Sequence, residues 1–247
     1  MTISTDEIGG KGLVVVQRVR GARASVDGIL LARFPDVQAG WRVADLGCGN
    51  GLVGLMMAYD HPECTVVGVE VQAGLIRQAA EGAGLSGLKN IRFVQADLRN
   101  YPWKFNPERH ERAGFDLVVA NPPYREVGTG RLSPDPERAA SRHELLGNAG
   151  DFAVAAAAIL RRGGRSVWIY LAERRDHLLD TLQNHLLQPV RVRFVHSRAG
   201  DPPKLVLVEA RKEDTQRPAV TDPPLILYAG PGHRNYTGEA RKILYGE

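Results

Sequence analysis

The sequence predicts an α/β fold, a mainly parallel sheet with helices on both faces, and three observations carry that prediction. Short β-branched runs recur along the chain, each followed by a glycine or polar turn and then a helical stretch. The runs are apolar throughout rather than alternating, as strands covered on both faces must be. A chain of 247 residues with 43% hydrophobic composition can also bury one sizeable core.

In chain order, WRVADLG (41–47) reads as the first strand of this core and a helix follows from about 52 to 59. CTVVGVE (64–70) is the second strand and QAGLIRQAAEGAGL (72–85) the second helix. Third, fourth and fifth strands follow at IRFVQAD (91–97), FDLVVAN (115–121) and GRSVWIYL (164–171). Between the last two, DFAVAAAAILRRGG (151–164) reads as an alanine-rich helix with a basic last turn and a glycine cap. A further helix spans about 173 to 187. VRVRFVHS (190–197) and KLVLVEA (204–210) are separated by one short polar loop, which suits an antiparallel hairpin.

Residues 1–40 are expected to form an extension packed on the core: a strand in GLVVVQRV (12–19) and a capped helix in ASVDGILLARF (24–34). Residues 41–211 would be the core, and 212–247 a proline-rich extension that wraps the surface before a short terminal helix. All three belong to one domain in this reading.

Composition excludes some classes. Two cysteines, Cys48 and Cys64, support neither a disulfide framework nor a structural zinc site, and His143, His196 and His233 have no partner at metal-ligand spacing. The longest apolar run is too short to cross a bilayer, and MTISTDEIGGKG is no signal sequence, so a cytoplasmic protein without membrane or metal is expected. With 32 basic against 28 acidic residues, the net +4 permits a polyanionic partner without demanding one.

The chemistry concentrates at strand ends. VADLGCGNGLVGL (43–55) places Asp45, Gly47, Gly49 and Gly51 at a strand-to-helix turn, where glycines let a ligand approach the main chain. A dinucleotide fold also uses such a turn. An acidic Asp45, however, repels a pyrophosphate and attracts an ammonium. The second strand ends in Glu70, which can accept bonds from ribose hydroxyls, and the third in Ala96-Asp97, where a carboxylate can accept an adenine amino group. Each alone could be a solvated loop acid; three at successive strand ends are where open α/β sheets hold a ligand. A nucleoside with ribose, adenine and a cationic amino acid end is S-adenosylmethionine.

In DLGCGNG (45–51), VE (69–70), AD (96–97) and NPPY (121–124) the sequence resembles the class I S-adenosylmethionine-dependent methyltransferases. That resemblance implies a Rossmann-like, mainly parallel seven-stranded sheet of order 3-2-1-4-5-7-6 with the last strand antiparallel. It also implies S-adenosylmethionine as cofactor, held by Asp45, Gly47, Gly49, Asn50, Gly51, Glu70, Val71, Ala96, Asp97, Leu98 and Asn121. Asp27 lies where related enzymes often approach the cofactor's methionine end, although helix capping explains it equally well.

Asn121-Pro122-Pro123-Tyr124 has a bland reading, since prolines end strands. At this place in such a sheet it gains another. An exocyclic amine is a poor nucleophile, and the Asn121 side-chain oxygen with the Pro122 carbonyl can accept its two N–H bonds and free the lone pair. Asn121, Pro122 and Tyr124 are therefore the catalytic candidates. The prolines fix the acceptors in advance, and Pro123 and Tyr124 offer a surface for a base, a stacking contact worth roughly 1–3 kcal/mol.

The motif fits adenine N6, guanine N2 in ribosomal RNA or the N5 of a protein glutamine. QRVRGARASVDGILLARF (17–34), GTGRLSPDPERAASRHELLG (128–147) and PPLILYAGPGHRNYTGEARKIL resemble the bacterial tRNA adenine-N6 methyltransferases that modify valine tRNA beside the anticodon. The likeness spans nearly the whole chain and departs at Ser141, where alanine is expected. It implies an RNA partner, tRNA; from the residues themselves, Arg125, Arg131, Arg138 and Arg142 of a long loop could grip its phosphates, the alternative being a solvated loop of balanced charge. Arg18, Arg20, Arg23 and Arg33, with Arg161, Arg162 and Arg165, could widen that patch. An RNA-binding protein on an idle methyltransferase scaffold is the non-enzyme alternative, disfavoured because the cofactor acids and Asn121 are all present.

Overall fold

The computed structural model describes residues 3–8, 12–18, 25–100, 114–123, 147–213, 218–230 and 235–246. Five strands form the parallel part of the main sheet: β3 (Arg42–Leu46), β4 (Thr65–Glu70), β5 (Ile91–Gln95), β6 (Phe115–Ala120) and β7 (Leu160–Leu171). They are joined by α2 (Leu52–Asp60) after β3, α3 (Ala73–Leu85) after β4 and α4 (Ala149–Ile159) before β7. Then come α5 (Arg175–Asn184), β8 (Leu187–His196) and β9 (Pro203–Lys212). The long strands lie in the order β5-β4-β3-β6-β7-β9-β8, with β9 antiparallel to both of its neighbours.

Alternate residues of the central strands feed two cores. Val43, Val66, Leu117 and Val119 face one layer with Leu30, Met56 and Leu244. Ala44, Val67, Val118 and Ala120 face the other, with Phe152, Ala153, Leu178 and Leu182. The period of two is why unbroken apolar runs were required: both faces of each strand are covered.

Four features differ from the sequence expectation. The helix before β7 is α4, ending at Ile159 rather than 164. Its N-terminus carries the strong signal, a capping box in which the Asn148 side chain accepts from Asp151 N–H and the Asp151 carboxylate from Asn148 N–H. Leu160 already pairs with Phe115, and the register shifts before Arg165 pairs with Leu117. The two glycines lie in that irregularity instead of capping a helix: a β-carbon on Gly164 would stand 3.0 Å from the Phe115 carbonyl oxygen.

The N-terminal segment is a hairpin, not one strand: β1 (Ile3–Ile8) pairs antiparallel with β2 (Leu13–Arg18) in a sheet of its own. The polar run ISTDEI gave no apolar signal, and its pairing supplies what periodicity lacks. α1 (Val26–Arg33) follows, capped by Ser25. In the tail, β10 (Val220–Thr221) and β11 (Leu225–Ile226) pair parallel to β8, so the sheet has nine strands, and α6 (Gly238–Tyr245) closes the chain.

Of the basic residues expected to widen the loop patch, Arg20 and Arg23 lie outside the described residues, and Arg33, Arg161, Arg162 and Arg165 can be placed. Arg161 and Arg162 begin β7, at the end of the sheet opposite Asn121, and Arg161 pairs with Asp116 at 2.6 Å. Arg165 lies over the Trp41 ring and bonds Glu209, and Arg33 bonds Asp60. These side chains serve the fold. Among the described residues no helix is long and apolar enough to cross a membrane, and no group of three His, Cys, Asp or Glu could hold a metal ion. Cys48 and Cys64 are both buried and free.

Candidate active site

β3 and β6 are neighbours, with Leu46 opposite Ala120. From β3 the chain builds outward through β4 and β5, then crosses to β6 on the other side, so the switch point of the sheet lies between these two strands. A cavity of about 190 Å³ opens there, between the glycine turn after β3 and Asn121 after β6.

The turn is held open by its backbone. Gly47, Gly49 and Gly51 have φ of 64°, 57° and 87°. A β-carbon on Gly49 would meet nothing within 4 Å, so this glycine is required by its left-handed conformation and leaves the main chain bare to the cavity. Glu70, at the end of β4, fixes the turn from the side. Its Oε2 accepts the Gly49 N–H at 3.1 Å and its Oε1 the Gln72 N–H at 2.9 Å. The Val71 backbone and the Gln72 side chain also hydrogen-bond this carboxylate.

Asp45 is buried at 2% exposure, and its Oδ2 accepts the Gly54 N–H of α2 at 2.9 Å. Burial pushes its pKa up to about 7; the Gly54 bond opposes this and nearby Glu70 adds to it. Burial also raises the Glu70 carboxyl and holds the Cys48 thiol far above its ordinary value, which makes Cys48 a small apolar wall rather than a nucleophile.

Of the sequence candidates, Asp45, Gly47, Gly49, Asn50, Glu70, Val71, Ala96, Leu98, Asn121 and Pro123 line the cavity. Gly51, Asp97, Pro122 and Asp27 do not. Gly51 is the left-handed N-cap of α2, Pro122 is buried between the lining residues Asn121 and Pro123 in the chain, and Asp27 sits between the lining residues Ser25 and Gly28. Asp97 is drawn toward Arg99, with Nη2 to Oδ2 at 2.6 Å and Nε to Oδ1 at 2.9 Å, and this guanidinium holds its carboxyl below the usual range. Tyr124, Arg125, Arg131, Arg138 and Arg142 lie outside the described residues.

Sequence reasoning missed Phe152, Gly147 and Gln72, which also line the cavity, as do Leu52, Val53 and Leu75. Gln72 follows directly on the Glu70-Val71 pair and could have been found by position. Phe152 stands one residue beyond the capping-box Asp151, on the first turn of α4, and only the fold brings it under the glycine turn.

The described lining carries two carboxylates and no Lys or Arg. Such a set rejects a phosphate chain and accepts a cation and hydroxyl groups. A glycine turn between acidic strand ends, on a sheet with a reversed β9, defines a class I methyltransferase fold.

The comparisons with known proteins agree. A family model described as a methyltransferase domain matches residues 38–174. A tRNA1(Val) (adenine(37)-N6)-methyltransferase of Aeromonas hydrophila is 29% identical over 188 residues, 75% of each chain. The Haemophilus influenzae enzyme of the same description is 37% identical over 108 residues, 43% of this chain and 44% of its own. Among solved structures, a predicted O-methyltransferase of Agrobacterium tumefaciens superposes with a TM-score of 0.68 at 22% identity, covering 89% of this chain and 96% of that one. It speaks for the fold alone. The chain belongs to the methyltransferase domain family, and it is an S-adenosylmethionine-dependent methyltransferase.

Proposed function

We propose that this enzyme methylates the exocyclic N6 of an adenine in tRNA. The observation that carries the reading is the position of Asn121: it follows β6 directly beside the glycine turn and lines the same cavity as Asp45 and Glu70. The choice of adenine in tRNA rests on the relatives, whose descriptions name that atom and that RNA over three quarters of each chain.

Asp45 and Glu70 would hold S-adenosylmethionine by its ammonium and ribose hydroxyls, with Ala96 and Leu98 against its base. When bound, this cofactor supplies an electrophilic methyl group on a sulfonium. The chain's own part is alignment. The Asn121 Oδ1 and the Pro122 carbonyl accept the two hydrogens of the target amine, which holds its lone pair toward the donor. The two prolines keep both acceptors in place before substrate arrives, so little reorganisation remains for the transition state. Phe152 and Pro123 exclude water from the apolar side. No strong base is required, because the amine loses its proton after the positive charge has moved onto it.

The test is incubation with methyl-labelled S-adenosylmethionine and separate pools of unmodified tRNA, ribosomal RNA, DNA and release factor. Label in tRNA as N6-methyladenosine is the expected result. Label confined to ribosomal RNA or to release factor would overturn the tRNA assignment.

A further inference from the structure

We infer that Asn50 and Ser86 are positioning residues that seat the β1–β2 hairpin against the cofactor turn, so that hairpin docking and cofactor binding are coupled. The inference rests on the cavity being the cofactor site. The hairpin forms its own two-stranded sheet, and among the described residues it pairs with no edge of the main one. A two-stranded hairpin alone is marginal in water, so its place depends on what it docks to.

Hydrogen bonds and close packing together dock it. Asn50, buried and lining the cavity, donates from Nδ2 to the Val16 carbonyl at 3.4 Å. Ser86, at the C-terminal end of α3, receives the Val14 N–H on Oγ at 2.8 Å and donates back to the Val14 carbonyl at 3.3 Å. Between them the strand lies close against α3: a β-carbon on Gly82 would be 2.9 Å from the Val14 carbonyl oxygen. Leu13 and Val15 enter the core from the same strand.

The geometry gives the coupling a route. Asn50 belongs to the glycine turn and meets the cavity with one side and β2 with the other. A ligand that fixes the turn fixes the amide, and an undocked hairpin exchanges the amide's bond to Val16 for water and leaves the turn without that anchor. Binding couplings are reciprocal, so whatever the hairpin adds to cofactor affinity, the cofactor returns to hairpin docking.

Ser86 makes the test clean because it does not line the cavity. In the full-length protein, Ser86→Ala is expected to raise both the calorimetric Kd and the KM for S-adenosylmethionine about fivefold with kcat unchanged, and to speed amide exchange at Val14–Gln17 in the free protein. Ser86→Thr, which keeps the hydroxyl, should restore all three values. Faster hairpin exchange with an unchanged Kd would overturn the coupling. If Ser86→Ala does not fold, the parent protein decides alone: saturating cofactor should slow exchange at Val14–Gln17 about fivefold, and equal rates would overturn the inference. Absence of calorimetric binding to the parent protein would instead remove the cofactor reading, and this inference with it.

Discussion

The Phe152 ring stands 2.7 Å from the point where a β-carbon on Gly47 would lie. Gly47 is thus constrained twice, by that ring and by a φ of 64°. Gly47→Ala is expected to destabilise the protein by about 2–4 kcal/mol, from the left-handed backbone and the overpacked contact together. It should also weaken cofactor binding at least tenfold. The two causes separate in a double-variant cycle. Phe152→Ala in the Gly47→Ala background removes the contact and leaves the backbone strain, so the two changes should be less than additive. Denaturant midpoints at unchanged slope measure this, and strict additivity would show that the ring is not what excludes a side chain at 47.

Asn121 should separate turnover from binding. Asn121→Ala removes one of the two acceptors aimed at the amine, and kcat is expected to fall by on the order of 10²–10⁴ while the Kd for cofactor stays within about twofold. Asn121→Asp keeps an acceptor oxygen and should lose less. Single-turnover assays with tRNA, beside calorimetry with S-adenosylmethionine, make the comparison. An Asn121→Ala enzyme with unchanged turnover would show that the residue only ends a strand.

These two residues also mark how far the sequence could be read. Asn121 was legible because it ends an apolar run, and the acids at 45 and 70 share its position at strand ends, a place fixed by parallel topology alone. Phe152 was not, because its role depends on α4 crossing beneath a turn about a hundred residues earlier in the chain. The same limit explains the end of α4. A run of alanines looks helical wherever it stands, and only the partner strand shows that Leu160 is already paired with Phe115. Composition was likewise silent on direction: Arg161 and Arg162 look like part of a phosphate grip in sequence and lie at the opposite end of the sheet in the fold.

Asp97 and Arg99 form an ion pair beside the cavity rather than in it. If the Asp97 carboxylate accepts an adenine amino group, it must share or leave this partner. Asp97→Ala is therefore expected to weaken cofactor affinity about tenfold. Arg99→Ala, which frees the carboxylate, should weaken it by no more than twofold and return the Asp97 pKa toward its ordinary value. Calorimetric Kd values for both variants decide. A loss in Arg99→Ala equal to that in Asp97→Ala would mean that the pair acts as one structural unit and that Asp97 does not itself contact the base.

Asp45 makes pH a handle on the site. Its folded pKa of about 7 lies above the ordinary value near 3.9, because burial disfavours the charged form. A raised carboxyl stabilises the folded state at low pH, and that contribution is lost as pH rises through about 7. Free protein should therefore lose stability between about pH 4 and 7, and Asp45→Asn should gain on the parent across that window, by an amount on the order of 4 kcal/mol at most. Cofactor reverses the preference, since an ammonium beside Asp45 favours the carboxylate. Affinity for S-adenosylmethionine should fall as pH drops below 7, with up to one proton released per molecule bound at pH 6. Glu70, also raised by burial, adds in the same direction. Calorimetry in two buffers of different ionisation enthalpy reads the proton count directly. Release at pH 6 that survives in Asp45→Asn would assign the proton to Glu70, and uptake in place of release at pH 6 would remove the ammonium from Asp45.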